Sequence, residues 1–308
     1  MNNHISIIAS EHAIRLRRAR LSLEGLSLGD AFGRHFFYTP HVAWLVEQRA
    51  MPAPPWRYTD DTIMALSVYD TLAQFGQVDQ DHLAAGFARR YMADTGRGYG
   101  LTARDILVDI ARGTPWPEAA GSVFGGQGSM GNGSAMRVGP ISGYFADDAP
   151  AAVRQAILSA AVTHAHPEGQ AGAAVIALAG AYAWRAARDE AAPTLSAMCD
   201  YVLAKTPAGA TANGIRKAAE LPRGTTPTDA ATVLGNGSHA TCVDTVPFCI
   251  WCAGRHLDSF EDAMWATVSG LGDMDTTCAI VGSIVALAVG EAGLPQSWIS
   301  ARESLGIS

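Results

Sequence analysis

The chain has 308 residues, 48% of them hydrophobic and 17% charged, with a formal net charge of −7. That composition excludes a disordered chain, and the negative balance removes the electrostatic case for a nucleic-acid surface. Five cysteines, at 199, 242, 249, 252 and 278, exclude a dense disulfide framework. Met1 to Ser10 shows no secretory signal, so the expected location is cytoplasmic.

Residues 36–58 carry Pro40, Pro52, Pro54 and Pro55 and read as a loop wrapping over the surface towards Thr59-Asp60-Asp61-Thr62. Apolar residues at three- and four-residue spacing then predict helices over Ile63–Phe75, His82–Met92 and Thr102–Arg112. A glycine-dense loop spans Gly121–Gly133. Further helices are predicted over Ala151–Thr163, Gly169–Arg188, Thr194–Ala204, Thr228–Leu234, Thr245–Ala253, Ser259–Val268 and Asp275–Gly290. Alternating β-branched runs are scarce, so the fold class is all-α, one domain over 1–308 with helices crossing at varied angles. The most apolar segment, Cys278–Gly290, is too short to span a bilayer, and no membrane partner is expected.

Two acidic clusters stand more than two hundred residues apart, Thr59-Asp60-Asp61-Thr62 and Asp273-Met274-Asp275-Thr276-Thr277. Each opens a predicted helix. Four carboxylates folded together would repel, and hard divalent cations with oxygen ligands remove that repulsion. The candidate ligands are Thr59, Asp60, Asp61, Asp273, Asp275 and Thr276, with Gly272 allowing the tight turn before the second helix. The competing reading is that each cluster is only a helix N-cap. Thr62 and Thr277 fit that plainer role.

The segment from Phe124 to Arg137 is the second feature. Its glycines expose backbone N–H groups that can wrap an anionic diphosphate without net positive charge. No Gly-Lys-Ser/Thr follows, so it is not a mononucleotide P-loop. His164 is placed to bond a phosphate or hold a ligand, and His166 to cap the next helix. Asp94, on a polar loop after a helix, is free to approach a substrate as acid or base. Cys249-Ile-Trp-Cys252 reads as core rather than redox chemistry.

Taken in order, these residues resemble the ADP-ribosylglycohydrolase family. Gly25-Leu-Ser-Leu-Gly-Asp-Ala-Phe-Gly33 resembles its opening glycine-and-aspartate motif. Trp56-Arg-Tyr-Thr-Asp-Asp-Thr62 and Gly272-Asp-Met-Asp-Thr276 resemble its two metal motifs. Thr163-His164 and Asp244-Thr-Val-Pro247 follow in the family's order. The resemblance implies a binuclear Mg²⁺ or Mn²⁺ centre on the six ligands named above. It also implies an ADP-ribose loop at Gln127, Gly128, Ser129, Met130, Gly131 and Asn132, and a phosphate contact from His164. The implied reaction hydrolyses an ADP-ribosylated protein and releases ADP-ribose, with Asp60, Asp61 and Asp94 as catalytic residues. The chain is expected to act as a monomer.

Three positions depart from the family pattern. Phe37 stands where members acting on serine-linked ADP-ribose carry a glutamate, Leu271 where a glycine is common, and Met274 where a threonine is common. A phenyl ring cannot exchange a proton. The expectation is therefore arginine-linked ADP-ribose, with Asp94 exchanging the proton and Glu47 as a weaker substitute. The alternatives are another acceptor (serine, a nucleobase, a small molecule) or a non-catalytic ADP-ribose binder.

Overall fold

The computed structural model describes residues 2–37, 39–188 and 193–307, and among these it forms helices and turns but no strand. The all-α expectation holds. A long α1 (Asn2–Arg34) precedes α2 (Val42–Glu47), α3 (Asp60–Phe75), α4 (Gln80–Ala93), α5 (Leu101–Ala111) and α6 (Trp116–Ser122). Short helices α7 (Gly133–Met136) and α8 (Gly139–Tyr144) lead into α9 (Ala149–Ala161) and α10 (Pro167–Ala186). Then come α11 (Leu195–Leu203), α12 (Ala210–Glu220), α13 (Pro227–Leu234), α14 (Cys242–Arg255), α15 (Phe260–Val268), α16 (Met274–Val289) and α17 (Gln296–Ala301). None of the described helices is long and apolar enough to cross a membrane.

α16 is apolar on every side and buried along almost its whole length, which makes it the central helix. α1 lies against it through glycines spaced four apart. A Cβ at Gly25 would overlap the Gly282 carbonyl oxygen, one at Gly29 the Cys278 carbonyl, and one at Gly33 the Met274 carbonyl. Only residues without a Cβ allow that backbone-to-backbone approach. Its consequence is positional: Asp30, between two of these glycines, is carried into the protein interior.

Residues 39–58 fold as a strap containing α2. Its far end is held by the C-terminal tail, because the Trp56 N–H donates to the Ala301 carbonyl at 2.7 Å and the Glu303 N–H to the Trp56 carbonyl at 2.9 Å. Trp56 is buried against Phe32 and Trp298. This anchoring delivers Tyr58 and Thr59 to the start of α3. The five cysteines are all free and buried, and burial pushes the Cys249 and Cys252 thiols well up, in keeping with the core reading.

Candidate metal centre and nucleotide loop

Several helix starts in this chain are capped by their own Asp, Thr or Ser side chain, and those at the two acidic clusters are not. Asp79, Asp148, Thr194, Thr226, Thr241 and Ser259 each cap a helix with their own side chain. Thr59 and Asp273 occupy the same position on α3 and α16, yet neither makes a side-chain cap. Their oxygens are directed elsewhere. Thr59 and Asp273 therefore do not cap their own helices, although Asp275 accepts from the Thr276 N–H at 2.9 Å.

For α3 the cap comes from another helix. Asp30 accepts from the Thr59 N–H at 2.9 Å, the Thr62 N–H at 3.1 Å, the Thr59 hydroxyl at 2.8 Å and the Thr62 hydroxyl at 2.6 Å. Thr62 is thereby explained as a structural donor. Thr277, whose hydroxyl donates to the Asp273 carbonyl at 2.9 Å, is explained in the same way. Asp30 had not been singled out from the sequence. The only hint was its place in the glycine-and-aspartate motif, which gains meaning once α1 is seen to touch α16.

Oxygens of Asp30, Asp61 and Asp275 lie within 4.8 Å of one another. Burial raises Asp30 to about 6 against the pull of its four donors, and burial with the Asp30 charge raises Asp60 to about 7. Burial and neighbouring carboxylates push Asp61 and Asp275 well above the usual range, and Asp273 is also raised. Asp61 Oδ1 is buried with no hydrogen-bond partner. Left alone, such a cluster can relieve its repulsion only by taking up protons. Clustered hard oxygens with an orphaned carboxylate oxygen fit one or more divalent cations instead. Thr59 and Thr276 border the group, with Thr59 Oγ1 also 2.9 Å from Asp61 Oδ2.

The second cluster is shaped by its approach turn. Leu271 has φ 55° and Gly272 φ 72°, both in the left-handed region. Leucine is strained there by about 1–2 kcal/mol, which gives a physical reason for glycine to be common at that position. The Asp273 N–H donates to the Asn236 carbonyl at 3.0 Å.

Of the expected nucleotide residues, Asn132 is the one that touches the acidic group. Its side-chain amide donates to Asp273 Oδ2 at 2.7 Å and to Thr245 Oγ1 at 3.1 Å. Gln127 and Met130 are exposed, whereas Gly128 and Ser129 are buried. Gly128 is in the left-handed region at φ 76°, and the Ser129 hydroxyl accepts from the Gly131 N–H at 3.1 Å. His164 is buried beside Gly131 and Gly133, with Nδ1 2.7 Å from the Thr163 hydroxyl. Burial, helped by Arg137, pulls its pKa well down and keeps it neutral. His166 caps α10 as expected, accepting from the Glu168 N–H at 3.1 Å.

A cavity of about 520 Å³ opens over the acidic group, lined by Arg34, His35, Phe37, Pro55, Arg57, Gly98, Asp273 and Asp275. The floor is acidic and the rim is basic, a polarity the sequence reading missed. Arg34 and Arg57 are exposed and make no ion pair with a described residue. Phe37 is on the wall, where it offers no proton. Glu47, exposed on α2, is not among the lining residues.

Asp94, expected to act as acid or base, is held by groups of its own loop. It ends α4 and accepts from the Gly96 N–H at 3.0 Å and from Arg97 Nε at 2.8 Å. Those bonds hold its carboxyl below the usual range, so it is ionised and a poor proton donor. Arg97 in turn bonds the Tyr58 carbonyl and Glu303, and its own carbonyl accepts from the Asp60 N–H at 2.8 Å. Asp94 and Arg97 thus brace the loop that backs Asp60.

Comparison with known proteins gives the family and supports the fold. The family model described as ADP-ribosylglycohydrolase matches residues 11–306. ADP-ribosylhydrolase ARH3 of Homo sapiens is 28% identical over 92% of this chain and 88% of its own length. ADP-ribosylarginine hydrolase Tri1 of Serratia proteamaculans is 23% identical over 92% of this chain and 75% of its own. A solved structure described as an ADP-ribosylglycohydrolase-related protein complex superposes with a TM-score of 0.67, covering 94% of both chains at 24% identity, which supports the fold.

Proposed function

The chain belongs to the ADP-ribosylglycohydrolase family and is a hydrolase of that kind, and we propose that it releases ADP-ribose from ADP-ribosylated arginine on a protein. The observation that carries the metal-dependent part is the convergence of Asp30, Asp61 and Asp275 from three helices. We assign Thr59, Asp60, Asp61, Asp273, Asp275 and Thr276 to hold two divalent cations, Mg²⁺ or Mn²⁺, with Asp30 as an added member of the set. When bound, such cations polarise ribose hydroxyls and lower the pKa of water.

The chain's own residues do the remaining work. Asn132 steadies Asp273 while presenting the glycine loop, residues 127–132, to the diphosphate. The strap and the Arg97 clamp fix the α3 start so that Thr59, Asp60 and Asp61 are preorganised. Phe37 and Pro55 exclude water from the cavity wall.

The acceptor follows from proton supply. Among the described residues lining the cavity, no carboxylate stands outside the proposed ligand set, and burial and Arg34 lower the pKa of His35. A hydroxyl leaving group needs a proton donor, worth about 10²–10⁴-fold, or roughly 3–5 kcal/mol. A ribosylated guanidinium already carries its proton and departs as neutral guanidine. Arg34 and Arg57 favour the second reading, an uncharged acceptor, because they repel a guanidinium. Exposed, screened charges of this kind contribute only about 0.2–1 kcal/mol each. Proton supply outweighs them.

The test is release of ADP-ribose from arginine- and serine-linked conjugates, with and without chelator. Strong release from the serine conjugate alone would overturn the acceptor assignment. In the same assay Asp94→Asn separates its two roles, since loss of a loop clamp lowers activity far less than loss of a proton donor.

A further inference from the structure

Arg137 is fully buried, yet no carboxylate pairs with it among the described residues. Its guanidinium donates to the Gly133 carbonyl at 3.1 Å and to the Ser159 carbonyl at 2.8 Å, and stacks 4.5 Å from the centre of the Phe87 ring. Nε is buried with no partner. The pKa, pushed down to about 9 by burial, still leaves a cation at neutral pH. Every other internal charge described above is neutralised or clustered for a metal. Two carbonyls, an aromatic face and the C-terminal end of α9 offset part of the desolvation of this one.

The surroundings point towards the glycine loop. Gly133, whose carbonyl Arg137 holds, directly follows Asn132. His164, wedged against Gly131 and Gly133, is kept neutral, so one cation rather than two sits under the loop. The backbone N–H groups of Ser129 and Met130 donate to no described group. A fixed charge beneath free amides makes a stronger anion site than amides alone, since low dielectric extends its reach.

We propose that Arg137 is the buried counter-charge for the nucleotide's phosphates, acting through the glycine loop as a positioning residue without touching the ligand. This rests on the reading that the loop takes the ADP-ribose diphosphate. It predicts an effect graded by ligand charge, which a purely structural helix cap would not produce.

The experiment measures ADP-ribose, AMP and adenosine binding by calorimetry to the Mg²⁺-loaded protein, comparing wild type with Arg137→Met and Arg137→Lys. Expected is a loss of at least about tenfold (~1.4 kcal/mol) for ADP-ribose and AMP in Arg137→Met, little change for adenosine, and recovery in Arg137→Lys. Equal losses for all three ligands, or none, would overturn the proposal. Should Arg137→Met not fold, Ser159→Asp introduces an internal carboxylate at the residue whose carbonyl the guanidinium holds. It is expected to weaken ADP-ribose and AMP but not adenosine. Unchanged nucleotide affinity in that variant would also overturn it. Wild-type protein that binds neither ADP-ribose nor AMP would instead sink the reading of the loop itself.

Discussion

Asn132 donates its side-chain amide to Asp273 at 2.7 Å, joining the glycine loop to the second acidic cluster through one hydrogen bond. Loop and cluster are more than a hundred residues apart in sequence. The bond ties the position of one to that of the other.

Asn132→Ala removes a donor to a charged acceptor, an interaction of about 1.5–3 kcal/mol. A fall in kcat/KM of about 10- to 100-fold is expected at fixed Mg²⁺. Asn132→Asp is expected to be worse, because it sets a like charge against Asp273. ADP-ribose release within twofold of wild type in both variants would remove the coupling role.

Asp30→Asn tests the residue that the structure adds to the metal set. Cation binding stabilises a folded chain in proportion to its affinity, about 1.4 kcal/mol for each tenfold. The rise in Tm on adding Mg²⁺ to chelator-treated protein is expected to shrink in this variant. An unchanged rise would place Asp30 outside the metal's influence.

Gly29→Ala puts a Cβ onto the Cys278 carbonyl and forces α1 away from α16. A loss of about 1–3 kcal/mol in urea unfolding is expected. Gly121→Ala, in α6 with nothing near its Cβ position, is the control and is expected to stabilise by about 0.5–1 kcal/mol. Equal responses would contradict the account of helix contact.

Glu168 supplies the pH dependence. Burial alone would raise its pKa, but donors from the Ala210 N–H, the Thr211 N–H and the Thr211 hydroxyl outweigh that and hold it low. With the folded pKa depressed, its stabilisation is full above the unfolded pKa and is lost as pH falls through the folded one. Glu168→Gln is expected to cost about 1.5–3 kcal/mol at pH 7. Urea midpoints of variant and wild type should converge as pH falls below about 4. A gap that does not narrow as pH falls below about 4 would contradict the assignment.

The helices that were legible beforehand are those with an apolar stripe. Asp60–Phe75 and Pro167–Ala186 begin and end within a few residues of the periodic pattern. α1 was not legible, since its arginines, serines and alanines show little apolar periodicity and its buried contact uses glycines. α12 lacked a sharp start between glycine- and proline-rich flanks. The six proposed metal residues could be read because two Asp/Thr clusters hold four carboxylates that would repel one another without a cation. Asp30 could not, because its role depends on α1 meeting α16. Asp94 was legible as a polar loop residue, but its charge is taken by Arg97, a contact across a turn that spacing does not reveal.

The most direct measurement is ADP-ribose release from arginine-linked and serine-linked conjugates, each with chelator and after adding back Mg²⁺ or Mn²⁺. The account predicts release from the arginine conjugate, abolished by chelation and restored by either cation. Release that survives chelation, or release from the serine conjugate alone, would contradict it.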